Sequence, residues 1–158
     1  MRPVSMLFNI MLLFLVTSIT VNAQEIAIYR INAGGPAFVD IYGNHWRPDT
    51  GYFAAGKSNS AEVAIRKTDI DKLYQTNRYS QSSNLIYNFP IANGNYEVIL
   101  HFSETFSGDP FLKSRIFDVL SEKKTVLRNI SIYNEAQSRG AIIKIFQVII
   151  GKRQNLRR

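Results

Sequence analysis

Any metal or acid–base chemistry in this chain would have to be built from its two histidines, His45 and His101, and from acids such as Asp69, Asp71, Glu104 and Asp118. Neither histidine has a second ligand at helix or hairpin spacing, so no zinc site is expected from them. His101 falls in a strand-like run and reads as a wall residue with a satisfied ring. No nucleophile-elbow pattern supports a Ser–His–Asp triad. Paired carboxylates for glycoside cleavage can be drawn from the four acids. Asp69 and Asp71, however, read as turn acids, and Asp118 lies between Phe117 and Val119 inside a strand pattern. The chain has no cysteine, which removes thiolate chemistry, disulfides and cysteine-ligated metals. Ala33-Gly34-Gly35 follows a strand pattern but lacks the spacing of the glycine-rich phosphate-binding loops. The expectation is a protein that is not an enzyme, with no catalytic residue, no metal and no cofactor.

What remains is aromatic. Tyr42, Tyr52, Phe53, Tyr74, Tyr79 and Phe106 fall in or beside loops, among Asn, Asp, Arg and Gly. Sugar recognition uses this mixture, because an aromatic ring stacks on the apolar face of a pyranose. Amides, carboxylates and guanidinium groups then bind its hydroxyls. Rings at the rim of a β-sandwich core would give the same pattern, and composition leaves both readings open.

The elements that must position these residues are strands. Glu25–Ile31 alternates apolar and polar residues and ends at the breakers Asn32-Ala33-Gly34-Gly35-Pro36. A second strand is expected at Asn84–Phe89, stopped by Pro90, with a hairpin at Asn93-Gly94-Asn95. Tyr96–Glu104 follows, with Tyr96, Val98, Leu100 and Phe102 on one face. Ile116–Leu120 turns at Ser121–Lys124 into Thr125–Leu127, and Ala141–Ile150 is a long β-branched run. One helical turn is expected near Asp69–Leu73. Short strands between turn clusters imply an all-β domain, either a sandwich or a barrel.

Five strings carry a resemblance: Arg30–Pro36, Trp46–Phe53, Leu73–Tyr79, Tyr96–Glu104 and Arg115–Val119. In their order and spacing the chain resembles the malectin family of carbohydrate-binding domains over about Ile28 to Ile150. The resemblance implies a jelly-roll-like antiparallel β-sandwich of the galactose-binding-like kind, with a sugar site in loops at one end. It places Tyr79 and Phe106 against the sugar, with Arg78 and Glu104 as polar neighbours. Ser107 stands where a second ring is expected. The loop Ala54–Ser60 has no tyrosine, and Tyr52 would substitute only by a different geometry. Glucose specificity therefore does not carry over. The implied partner is an oligosaccharide or polysaccharide, with glucose-containing ones included. The alternative is a protein–protein interaction or structural module that has kept the fold and lost the sugar.

Both ends of the chain stand apart. Arg2, the apolar run Met6–Val16 and Val21-Asn22-Ala23 form a secretory signal peptide over residues 1–23, cleaved after Ala23. The apolar core is too short for a span of about 20 residues, so no membrane attachment is expected once the leader is gone. The mature domain is expected over 24–150, exported to a periplasmic or extracellular space, with a bacterial source favoured. Residues 151–158 match no family strand and resemble the basic end of a truncated or frame-shifted reading frame, with the family's closing strands absent. A natural short variant is the alternative. The net charge of +7 shrinks accordingly: Arg2 and the tail cations Lys152, Arg153, Arg157 and Arg158 leave 14 basic against 12 acidic residues. No nucleic-acid partner is expected from that balance.

Overall fold

The computed structural model describes residues 27–81, 84–106 and 115–151. The expected leader and the basic tail from Lys152 onward lie outside the described residues. Among the described residues, nine strands and two short helices follow in order: β1 Ile31–Asn32, β2 Phe38–Val39, β3 His45–Pro48, β4 Lys57–Ser60, α1 Asp71–Tyr74, β5 Thr76–Tyr79, β6 Gly94–Ser103, β7 Phe117–Ser121, β8 Lys124–Ile130, α2 Ile132–Ala136 and β9 Ala141–Ile150. They pair as β1-β3-β2, β4-β5, β6-β9 and β7-β8. All of these pairs are antiparallel except β1–β3, which is parallel.

The longest pair is β6–β9, in register from Gly94↔Ile150 to Ser103↔Ala141. The expected shared face of Tyr96, Val98, Leu100 and Phe102 is the half-buried one. Phe102 meets Phe117 of β7 edge to face, with ring centroids 5.5 Å apart. The opposite face changes character along its length. At one end Ala141 joins Phe38, Ile65, Leu73 and Tyr74 in the buried apolar cluster, with Trp46, Val63 and Ile70 packed against it. Further along, Ile99, Ile143, Ile145 and Ile149 are exposed, Ile149 to 79%. Ile99, Ile143 and Ile145 are neighbours on this face, while Glu97 and Gln147 separate them from Ile149; an exposed apolar patch favours association with other apolar surfaces. Ile145→Lys is expected to lower light scattering of concentrated protein and to leave the melting temperature nearly unchanged.

Several expectations need correction. Asn84–Phe89 is not a strand. It makes only an isolated bridge, Phe53↔Tyr87, because its backbone partners are confined to Tyr52 and Ala54. The hairpin at Asn93-Gly94-Asn95 does not form. Gly94 lacks the positive φ that a tight Asn-Gly turn needs, and β6 starts there and pairs with distant β9 instead. Of the described part of Glu25–Ile31, residues 27–31, only Ile31 is in a regular strand. Residues 25 and 26 lie outside the described set, and Arg30 still accepts a hydrogen bond from the Arg47 N–H at 2.8 Å. β2, β3, β4 and β5 form where the sequence pattern marks no strand. The turn at Ser121–Lys124 is as expected, with Glu122 and Lys123 both at positive φ between paired Ser121 and Lys124. The helical turn near Asp69–Leu73 forms as α1, Asp71–Tyr74. α2 has no counterpart in the sequence pattern; the Ser131 hydroxyl caps it by accepting from the Asn134 N–H at 3.4 Å.

His101 is a wall residue. Its Nδ1 lies 2.8 Å from the Tyr74 hydroxyl, and its ring stands edge-on to Trp46. Burial pushes its pKa below the ordinary histidine value, so the folded protein holds the ring neutral. The unfolded chain takes up a proton near pH 6.5. Stability is therefore full above that pH and falls as pH drops toward the folded pKa, by at most about 1.4 kcal/mol per pH unit. Urea titrations between pH 7.5 and 5.5 are expected to show this slope, and His101→Phe should flatten it.

Candidate functional site

Three of the sequence strings meet around one buried ion pair. Asp49 follows β3, and Arg78 lies in β5. The Arg78 guanidinium donates through Nε to Asp49 Oδ2 at 2.5 Å and through a terminal nitrogen to Oδ1 at 2.8 Å. The two side chains are only 11% and 3% exposed. The Gly34 N–H and the Tyr87 hydroxyl each donate to Asp49 Oδ2 at 3.0 Å. Phe53 closes the assembly, with the guanidinium carbon 3.5 Å from its ring centroid. Burial alone would raise the Asp49 pKa. The hydrogen bonds from Arg78, Gly34 and Tyr87 outweigh it and hold the carboxyl below the usual range. Burial and the bond to Asp49 push the Tyr87 phenol well above its ordinary value.

The Asn-Ala-Gly-Gly string builds the floor. Asn32 is fully buried. Its amide donates to the Pro36 carbonyl at 2.9 Å, and its oxygen accepts from the Thr76 hydroxyl at 2.8 Å. Gly34 sits at φ +72, and a Cβ there would lie 2.2 Å from the Asn77 carbonyl oxygen. The first turn is thereby pressed against β5, next to the Asp49–Arg78 pair. These residues serve as frame.

The expected sugar contacts divide into two groups. In the first, Arg78 is spent on Asp49 and Phe53, which makes it an anchor of β5. Side chains alternate along a strand, so the next residue, Tyr79, points the other way. Tyr79 is 39% exposed. Among the described residues its hydroxyl makes no hydrogen bond and its ring makes no contact with another ring. Tyr52 lies in an aromatic cluster, 5.4 Å from Tyr29 and 5.2 Å from Phe89 between ring centroids. Phe89 stacks in turn near Tyr87 at 6.0 Å, so Tyr52 buttresses the ion pair from behind.

In the second group, Glu104 is buried. It accepts from the Phe106 N–H and from Arg115, both at 3.1 Å. Phe106 is 53% exposed, with the Arg115 guanidinium 5.4 Å above its ring. Glu104 therefore positions Phe106, while its own carboxylate is occupied. Ser107 lies outside the described residues.

Two of the other acids are also engaged. Asp118 accepts from the Asn129 N–H at 2.8 Å, and Asp69 accepts from the Tyr42 hydroxyl. Among the described residues no three metal-ligating side chains cluster. No helix there is long and apolar enough to cross a membrane. Sequence reasoning assigns no role to Asp49 or Tyr87, and it names Phe53 only among the loop aromatics. The signal for Asp49 is present as an acid between Pro48 and Thr50 at a strand end, but its partner is 29 residues away.

Comparison with known proteins agrees with this frame. The Malectin domain model matches residues 27–156. Malectin-A of Xenopus laevis is 30% identical over 130 residues, which cover 79% of this chain and 46% of that protein. The chain thus spans about half the length of the curated relatives it matches. Among solved structures, the plant protein FER, in complex with the peptide RALF23 and LLG2, superposes with a TM-score of 0.69 at 22% identity, over 80% of this chain and 40% of that one. A calcium-binding mutant of Bacteroides uniformis beta-glucuronidase 2 superposes with a TM-score of 0.68 at 24% identity, over 78% of this chain and 15% of that one. These neighbours share the antiparallel β-sandwich. With the family model matching most of its length and three of its five strings gathered at one buried ion pair, the chain belongs to the malectin family.

Proposed function

We propose that this chain is a non-catalytic carbohydrate-binding module of an exported protein, with the mature domain over 24–150. The observation that carries this reading is Tyr79. Its strand is held by the buried Arg78–Asp49 pair, while its side chain is partly exposed and makes no hydrogen bond or ring–ring contact among the described residues. Phe106, held from beneath by Glu104, presents a second exposed ring. Each ring stacking on a pyranose contributes about 1 kcal/mol, so affinity is weak and a glucan is the ligand class to test. Arg78 and Glu104 act by holding the rings, and Tyr52 by packing behind the pair.

Calorimetric titration with glucose oligosaccharides and a glycan array test this. Tyr79→Ala is expected to weaken binding about fivefold and to leave the melting temperature nearly unchanged. A folded protein that binds no glycan, or binds equally well without the Tyr79 ring, would sink the reading. It would favour the second one, a protein-binding module, which the exposed isoleucines of β6 and β9 support.

A further inference from the structure

A cleft of about 240 Å³ opens beside the parallel β1–β3 pair, lined by Arg30, Arg47, His45, Asn44, Gly43 and Ile28 among others. His45 and Arg47 alternate with Trp46 and Pro48 in β3, so they share the outward face while Trp46 packs on the core. Arg30 borders the same cleft from the β1 side: its carbonyl accepts from the Arg47 N–H at 2.8 Å, and its neighbour Ile31 is the residue in register with Arg47. The side chains of Arg30, Arg47 and His45 have no hydrogen-bond or ion-pair partner among the described residues. Arg30 is half-buried as a residue.

Asp40 does not neutralise them. Its Oδ1 accepts from the Tyr42 and Asn44 N–H groups, both at 2.9 Å. Its Oδ2 accepts from the Asn44 amide at 3.0 Å and the Trp46 indole at 2.9 Å. Four donors leave that carboxylate fixed in place, with no bond to either guanidinium.

We propose that this cleft binds an oxyanion: a carboxylate, sulfate or phosphate group carried by a small molecule or by a single sugar unit. Guanidinium forks match such groups with paired N–H donors. The volume is below the roughly 300 Å³ at which pockets for drug-sized ligands begin, so the cleft takes one charged unit. This site is separate from the Tyr79 reading and does not depend on it.

The test is an amide chemical-shift titration of the full chain with sodium glucuronate, sulfate and phosphate, each against chloride at equal ionic strength. Saturable shifts at Gly43 and Asn44 are expected, absent with chloride. Arg47→Gln should weaken them at least tenfold, and Arg30→Gln/Arg47→Gln should abolish them, with the variants still folded by their dispersed spectra. A preference for glucuronate assigns the anion to an acidic sugar; equal response to sulfate and phosphate assigns a general oxyanion site, and both support the proposal. Shifts that stay linear, match chloride or persist in the double variant overturn it. Tyr79→Ala should leave these shifts intact, and neutral glucose should not produce them, so the two sites fail or succeed separately.

Discussion

Asp49→Asn is expected to destabilise the domain by about 3–5 kcal/mol, the usual cost of removing one partner from a buried ion pair. Asparagine keeps one acceptor oxygen in place of two: with that oxygen on the Gly34, Tyr87 and Arg78 Nε donors, its amide hydrogens face the terminal nitrogen of Arg78. The Arg78 charge then stays against Phe53 without a counter-charge. A drop in melting temperature on the order of 10 °C follows for a chain of this size. Urea unfolding checks the free energy directly. The double variant Asp49→Asn/Arg78→Met should lose less than the two single variants together, because an apolar side chain on Phe53 leaves no buried charge behind. The pair also sets an acid limit. The Asp49 carboxyl is held below its ordinary range, so its contribution is complete above about pH 4 and disappears as pH falls through the folded pKa. Asp40 behaves the same way: burial raises it, and its hydrogen bonds from Trp46, Asn44 and Tyr42 bring it down to about 2.

Gly34→Ala is the second large effect. At φ +72 a side chain is strained on its own, by about 1–2 kcal/mol. The added methyl would also lie 2.2 Å from the backbone oxygen of Asn77, so β5 must move. Moving it pulls Arg78 away from Asp49 and turns the Tyr79 ring, and the loss should exceed the strain alone. Gly51→Ala separates the two contributions. Gly51 is at φ +86, with nothing within 4 Å of the place its methyl would take, and its replacement should cost only the strain. Equal effects at the two positions, measured by denaturant unfolding, would show that the contact with β5 carries no energy.

The residue pattern alone is sufficient for the long strands. Alternation in β6 and β9 is local, and it predicts which side of β6 is half-buried without reference to any partner. The strings around Asn32, Asp49 and Arg78 are sufficient to place the chain in its family. Their work is not legible. Asn32 bonds Thr76 across 44 positions and Asp49 bonds Arg78 across 29, and no local period encodes which distant group a polar side chain will meet. The short strands β2 to β5 escape the pattern for the same reason: segments such as Lys57–Ser60 have no apolar alternation and are extended only because β5 lies beside them. The strand pattern at Asn84–Phe89 fails in the opposite direction, since extended propensity without a neighbour to pair with yields only a bridge. The sequence by itself determined the all-β class, the family and the exposed-ring candidates. Tertiary structure decided that Arg78 pairs with Asp49 and Glu104 with Arg115, and that Arg30 and Arg47 line one cleft. Burial and pairing belong to whole arrangements of segments, and a single segment does not carry them.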